Sequence, residues 1–523
     1  MSSGVPKLGF FGKPPQDASG KALGLRLFNF SAPNMKNFHW AWLTFHIGFF
    51  SWYSIAGLSA FLYKKGETEG YVLTEDSYAT SVMFAVASTI IMRFAFGPIC
   101  DAFGPRLSQA FILVFGSIPV ACFALAMDSH VKIYILRFAI GFLGASFVPC
   151  QFFTSQFFAP SVVGSANAFS GGWGNLGAGV TLLVMPWLLR IFTGGLGMSV
   201  NEGLKWVFLI PAAITCSVGI MVFFFADDSP QGSWKNRALP GETAEQAAER
   251  CRIRDEKAAA GVKEEAKKKV PFSQSGLAKS LYDVVKNPNT AVLAFSYMAS
   301  FGVEMTLNNF MPAYFLITFP SAGITRETAL MLAGALAWLN LFARACGGIL
   351  SDQMNARLSM SGRIITHFCA LTLEGAFLML FTFMPNIWAA FVVAVIFSLF
   401  AQAANGTCYS IVPSVSPYKG MISGLVGAGG NLGVVIFAII FKNFPGESMA
   451  TGFQVVAIFC FAAAASSFLL RLNGQWIIPN AATREALAPT KVAPKEVKHT
   501  TDSTVADQVT LPAPAASPQE LRV

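Results

Sequence analysis

The sequence predicts an all-α membrane protein of twelve spanning helices in two pseudo-symmetric six-helix halves. Three observations carry this. The 523-residue chain is 54% hydrophobic and only 12% charged, with a mean hydropathy of +0.53, about half the charge of an ordinary soluble chain. The charges are segregated, 38 of the 65 Lys, Arg, Asp and Glu residues lying in 1–37, 227–286 and 473–523. Polar motifs set in the apolar stretches recur, in order, in both halves of the chain.

A bilayer crossing needs about 20 mostly apolar residues. Twelve stretches supply them, at 38–63, 77–99, 107–127, 131–157, 164–190, 204–226, 289–317, 328–350, 363–384, 387–411, 419–441 and 452–472. Internal Gly and Pro are tolerated where neighbouring helices satisfy the freed backbone groups. Six spans precede the charged stretch and six follow it. The expected division is an N-terminal segment 1–37, a first half 38–226, a central loop 227–286, a second half 287–472 and a tail 473–523. Residues 1–36 lack the short apolar core and cleavage site of a signal peptide, so the first span is expected to be retained.

Lys and Arg set the orientation: five in the N-terminal segment, twelve in the central loop, two at Arg357 and Arg363 and five in the tail. An even number of spans puts all of these on one side, which the positive-inside rule makes the cytoplasm. No organelle signal is evident, and the plasma membrane is the expected location. Residues 242–269 mix both signs with Ala at helical spacing and predict a solvated helix, whereas the tail, rich in Pro, Ala, Thr and Ser, predicts disorder. The nine cysteines contain no Cys-x-x-Cys pair and read as small buried hydrophobes. The net charge of +9 forms no basic stripe interleaved with aromatics, so it reflects topology rather than nucleic acid. A spaced metal-ligand cluster, a nucleotide-binding motif and a catalytic triad are all absent from the sequence; neither an enzyme nor a cofactor is expected.

The repeat is the most specific signal. Arg93-Phe-Ala-Phe-Gly97-Pro-Ile-Cys-Asp101 closes the second span and Arg344-Ala-Cys-Gly-Gly348-Ile-Leu-Ser-Asp352 the eighth, at an offset of 251 that Gln151 and Gln402 share. Gly171-Gly172-Trp-Gly174-Asn175-Leu-Gly177 and Gly427-Ala-Gly429-Gly430-Asn431-Leu-Gly433 match at an offset of 256. Two repeated halves joined by a long loop are the plan of a secondary transporter, whose substrate sits near the midplane between them. The Gly97–Arg106 stretch and its counterpart at Asp352 resemble the Gly-x-x-x-Asp loop of the major facilitator superfamily, and Leu136-Arg137-Phe-Ala-Ile-Gly141 resembles its fourth-helix motif.

Arg93 and Arg344 stand about two turns inside the apolar spans. A buried guanidinium costs roughly 2.5–3.5 kcal/mol even on the lenient insertion scale, so each must face a cavity or a partner. Two at repeat-equivalent positions converge on the axis, and their planar donor forks suit a small planar oxyanion. The alternative is that each pairs with a structural acid or caps helix carbonyls, but the apolar spans offer only Glu304 and Glu374. The repeated glycines allow close helix approach. Packing alone leaves Asn175 and Asn431 unexplained, since an amide in the bilayer needs a partner, and both are expected to bind the substrate.

The two Gly-and-Asn motifs resemble the paired nitrate signatures of the nitrate/nitrite porter family, a branch of the major facilitator superfamily. The similarity runs from about His39 to Leu472 and is nearest to eukaryotic high-affinity nitrate transporters. The resemblance implies that Arg93 and Arg344 bind nitrate or nitrite and that Phe147, Tyr297 and Phe301 line the site. Tyr297 and Phe301 share a helix face, although aromatics at that spacing are more often core. It also implies proton symport. A monovalent anion entering against a negative interior is opposed by about 2.3 kcal/mol per 100 mV, so more than one proton must accompany it. Glu304 is the candidate proton carrier; pairing with Arg93, Arg137 or Arg344 is its alternative. Asp101 and Asp352 are expected to hold the cytoplasmic ends of the halves together. Arg137 is grouped with them as a conformational rather than a substrate-binding residue. Partners expected are the anion, protons, the lipid bilayer and, in some relatives, a small accessory subunit. Transport of another small anion, and a nitrate receptor without turnover, stay open.

Overall fold

The computed structural model describes residues 7–62, 75–237, 242, 244–259, 276–472 and 474–479. Each of the twelve predicted spans is helical. The first is Asn34–Trp52, extended by the short turns Ser54–Gly57 and Ser59–Leu62. The next five are Glu75–Phe103, Pro105–Ala121, His130–Phe157, Val163–Arg190 and Val200–Phe225. The seventh is Pro288–Thr318. The eighth starts at Arg326–Trp338 and continues from Ala343 into one run that ends at Phe381; non-helical Ser359, with φ 54° and ψ −147°, breaks this run and begins the ninth. Ile387–Ile411, Lys419–Asn443 and Met449–Ser466 complete the set. The fourth span is not uniform, since Gly141–Ser146 tightens to a 3₁₀ turn where Gly141 and Gly144 pack against Ala85, Ser88 and Thr89 of the second span.

The two halves meet along repeat-related seams. The second span packs on the eleventh and the fifth on the eighth. Glycine makes both contacts possible, because a Cβ on Gly97 would lie 2.9 Å from Met421 Cα and one on Gly164 would meet the Asp352 carboxylate and Ser410 hydroxyl. Small residues drive such contacts in a bilayer, where apolar side chains gain nothing by leaving lipid.

The N-terminus, the loop after the sixth span and the start of the seventh lie at one end of the bundle, called here the terminal end. Lys36 pairs with Asp227 at 2.6 Å, and Asn289 exchanges hydrogen bonds with Arg471. Segments expected to be plain solvated connections are packed at this end. Ala22 joins the chain at Phe157 and Ala159 through backbone hydrogen bonds. Trp234 stacks edge-on to Phe152 at 5.5 Å and donates Nε1–H to Ala102 O, while Arg106 pairs with Asp228 at 3.1 Å. Burial pushes the Asp228 carboxyl above the ordinary carboxylate range in spite of Arg106. The apolar residues Ala22, Leu25 and Leu27 are the physical reason that the N-terminal segment docks. In the central loop Ala244–Ala259 is helical as expected, and Gly276–Lys286, for which no helix was expected, is helical too; residues 260–275 and nearly all of the tail lie outside the described residues. Of the cysteines, Cys100, Cys150, Cys408 and Cys460 are buried, but Cys346 and Cys369 are exposed on the outer surface, where lipid rather than protein would be their apolar surrounding.

Candidate functional site

Arg93 and Arg344 are both fully buried. They enter from opposite halves and both reach the ring of Phe147, their guanidinium carbons standing 4.7 and 5.6 Å from its centroid. Arg93 donates Nε–H to Gly144 O at 3.0 Å and Nη1–H to Gly427 O at 2.9 Å, and its Nη2 has no partner. Arg344 donates Nη2–H to the Tyr297 hydroxyl at 3.2 Å, and its Nε and Nη1 have no partner. Among the described residues no carboxylate oxygen lies within 4.0 Å of either guanidinium. The structural-acid alternative is therefore not what is observed; carbonyl capping holds in part, for Arg93.

The aromatic residues expected at the site are brought together there. Phe147 and Tyr297 stack at 6.0 Å, Tyr297 and Phe301 at 5.2 Å, and Phe301 lies 5.5 Å from the Arg93 guanidinium. Tyr409, which the sequence did not single out, closes the group edge-on to both Phe147 and Tyr297 and donates its hydroxyl to Ser423 O. Among the repeated glycines, a Cβ on Gly171 would fall 2.9 Å from Arg344 Nε, one on Gly427 3.4 Å from Arg93 Cδ, and one on Gly430 2.5 Å from Tyr297 Cδ1. Gly172 lies under the Asn340 carbonyl; Gly174, Gly177 and Gly433 lie against Phe45, the His46 carbonyl and the Met298 carbonyl. Gly429, where the first copy has Trp173, would place a Cβ 2.8 Å from Ala294 O, so this position accepts no side chain, whereas Trp173 is partly buried against Phe38, Trp42 and Phe169 and donates to Leu341 O.

The two repeated asparagines differ. Asn175 is buried with neither amide atom partnered, while Asn431 donates Nδ2–H to Gly427 O, the carbonyl that Arg93 also holds. Gln151 and Gln402 donate to the Asn167 and Leu336 carbonyls within their own halves.

Glu304 pairs with none of the arginines. Its two oxygens accept from Asn340 Nδ2 at 2.6 Å and Asn405 Nδ2 at 2.7 Å, and Asn405 in turn accepts from Ser300 Oγ. Asn340 and Asn405 escaped the sequence reading; their signal was a polar amide in an otherwise apolar run. Glu374 is buried beside Cys460 of the twelfth span.

At the terminal end each repeated aspartate crosses to the other half. Asp101 accepts from the Gly420 and Met421 backbone amides at 3.1 and 2.7 Å, the first turn of the eleventh span. Asp352 accepts from Gly164 N at 3.1 Å and from Ser165 N and Oγ at 2.6 and 2.7 Å, at the start of the fifth. Both carboxylates thus sit on helix N-termini, where the peptide dipoles favour negative charge. Arg363, counted from sequence as a loop cation, is buried, pairs with Asp352 at 2.7 Å and donates to Pro160 O across the seam. Arg137 lies toward the opposite end, donates Nε–H to Ser81 Oγ at 3.2 Å within its own half and lines a cavity of about 50 Å³.

Comparisons with known proteins show the family. The profile of the Major Facilitator Superfamily matches residues 22–438. The high affinity nitrate transporter 2.7 of Arabidopsis thaliana is 31% identical over 81% of this chain and 80% of its own length, and nitrate transporter 2.1 of Chlamydomonas reinhardtii 30% identical over 80% and 70%. The nitrate/nitrite transporter NrtP of Nostoc punctiforme is 26% identical over 83% and 92%. The fold is that of the proton:xylose symporter XylE, at a TM-score of 0.58 and 14% identity over 85% of this chain and 98% of that one. The chain is a multi-pass membrane protein of the major facilitator superfamily, a family of transporters rather than enzymes, and belongs within it to the nitrate/nitrite porters.

Proposed function

We propose that this protein is a proton-coupled nitrate importer that also accepts nitrite and works by alternating access, in the plasma membrane with its terminal end in the cytoplasm. The observation that carries the reading is the pair Arg93 and Arg344. Two buried cations, one from each half, share one aromatic ring and keep unpaired N–H groups with, among the described residues, no acid in contact. Buried charge without a partner is costly, and a small planar oxyanion removes that cost by accepting from both forks. Phe147, Tyr297 and Phe301 offer flat surfaces and positively polarised edges that fit a three-oxygen plane better than a tetrahedral ion. Asn175 supplies a further amide, and Asn431 fixes the carbonyl that holds Arg93.

Glu304 carries the coupling proton. It stands two turns beyond Tyr297 on the seventh span, between two amides rather than beside a cation, so gaining a proton breaks no ion pair. Asp101 and Asp352 lock the cytoplasmic ends in the state seen here. Relatives named as nitrate and nitrate/nitrite transporters support the choice of anion.

The test is uptake of labelled nitrate by the purified chain in liposomes under an inward proton gradient, without any accessory subunit. Saturable uptake blocked by nitrite is expected. Preference for dicarboxylate or tetrahedral anions would remove nitrate as substrate, and binding without flux would make the protein a receptor.

A further inference from the structure

The central arginine pair is closed off at the terminal end by Asp101 and Asp352, so an anion must reach it from the other end. On that side the cavity of about 50 Å³ has room for roughly three or four waters. Its walls include Tyr78 and Val82 of the second span, Arg137 of the fourth, Asn309 of the seventh and Asn431 of the eleventh. Both halves therefore contribute. Among the described residues its only charged lining residue is Arg137, which is buried. Its guanidinium donates to Ser81 Oγ and shares a side-chain hydrogen bond with Tyr78, whose ring lies 5.6 Å away, and among the described residues no carboxylate comes within 4.0 Å of it. Asn309 and Asn431 each spend one amide hydrogen on a carbonyl of their own helix, Met305 O and Gly427 O. An amide NH₂ has two donors, so each keeps a second. Gly427 O is also the carbonyl held by Arg93, so Asn431 joins the cavity to the central pair.

We propose that this cavity is a second, outer anion site in which Arg137, assisted by the Asn309 and Asn431 amides, holds a small inorganic anion before it passes Asn431 to Arg93 and Arg344. The proposal rests on the anion-transport reading. A neutral wall with one cation and convergent amide donors concentrates small anions, and a walled cleft of one charge sign raises the local concentration of its counter-ion by tenfold or more. Arg137 is thus the capture point and the central pair the binding site proper, which predicts that removing its charge slows loading rather than abolishing binding.

The experiment uses the full chain with Val82→Cys in the cavity wall, the parent chain giving the background from its own cysteines. Two thiosulfonate reagents of similar size are compared, one bearing a sulfonate and one a trimethylammonium group. The anionic reagent is expected to react at least tenfold faster relative to the cationic one, and nitrate to slow it. With Arg137→Gln added, the ratio falls to about one and nitrate no longer protects; with Arg137→Lys, which keeps the charge, the preference persists. In liposomes Arg137→Gln raises KM for nitrate fivefold to tenfold with kcat unchanged. A ratio near one with Arg137 present, or an unchanged ratio in Arg137→Gln, overturns the outer site. These labelling arms do not depend on nitrate flux, so failure of the transport reading shows separately, as a wild-type chain that carries no nitrate.

Discussion

Arg93 and Arg344, 251 positions apart and one in each half, lean on the same ring, that of Phe147, at 4.7 and 5.6 Å. Phe147 begins the helical part of the fourth span that follows its 3₁₀ turn. That turn also presents Gly144 O to Arg93. One local distortion thus sets both the ring and an anchor for one of its two cations.

The glycines around the pair separate two kinds of packing. Ala at Gly171 would press on the guanidinium end of Arg344, which can yield by moving. This variant is expected to reach the membrane in near-normal amounts while nitrate KM rises about tenfold. Ala at Gly177 or Gly433 would instead strike the His46 or Met298 carbonyl, and backbone does not yield. Those variants are expected to be lost from the membrane fraction, as quantitative immunoblotting against a tagged parent would measure.

Glu304→Gln tests coupling. Gln keeps the volume and one acceptor but cannot exchange a proton. Nitrate counterflow between equal pH solutions is expected to persist at a third or more of the parent rate, while acceleration by an inward proton gradient disappears. Gradient-driven uptake at the parent level would remove Glu304 from the coupling path.

Asp352→Asn and Asp101→Asn loosen the terminal end. A hydrogen bond to a charged group contributes about 1.5–3 kcal/mol, so loss of one shifts an open–closed balance by roughly tenfold to a hundredfold. Spin labels on Pro160→Cys and Pro417→Cys, exposed loop positions of opposite halves, would report a growing long-distance population. Asp352→Asn is expected to have the larger effect, because it also leaves the buried Arg363 without its carboxylate. Unchanged distance distributions in both variants would contradict the locking role.

Much of this was legible in the sequence. The spans followed from where charge is missing, and the repeat marked the residues that meet at the centre and the seams, because a polar group kept twice in apolar surroundings has a reason to be there. What stayed hidden depends on tertiary proximity. Arg363 looks like a loop cation because it stands at the edge of the ninth apolar stretch, yet it folds back onto Asp352. Asn340 and Asn405 stand in different spans, and nothing in their spacing announces that both donate to Glu304. The N-terminal segment was read by its charges, whereas its few apolar residues, Ala22, Leu25 and Leu27, decide where it sits.

The central claim is that the two arginines hold the anion together. Its most direct measurement is equilibrium binding of nitrate to the purified protein carrying Arg93→Lys or Arg344→Lys. Lysine keeps the charge but loses the planar fork. The expected result is a tenfold or greater loss of affinity in each single variant, with the folded protein recovered intact. Parent-like affinity in either variant would take that arginine out of the site and contradict the account.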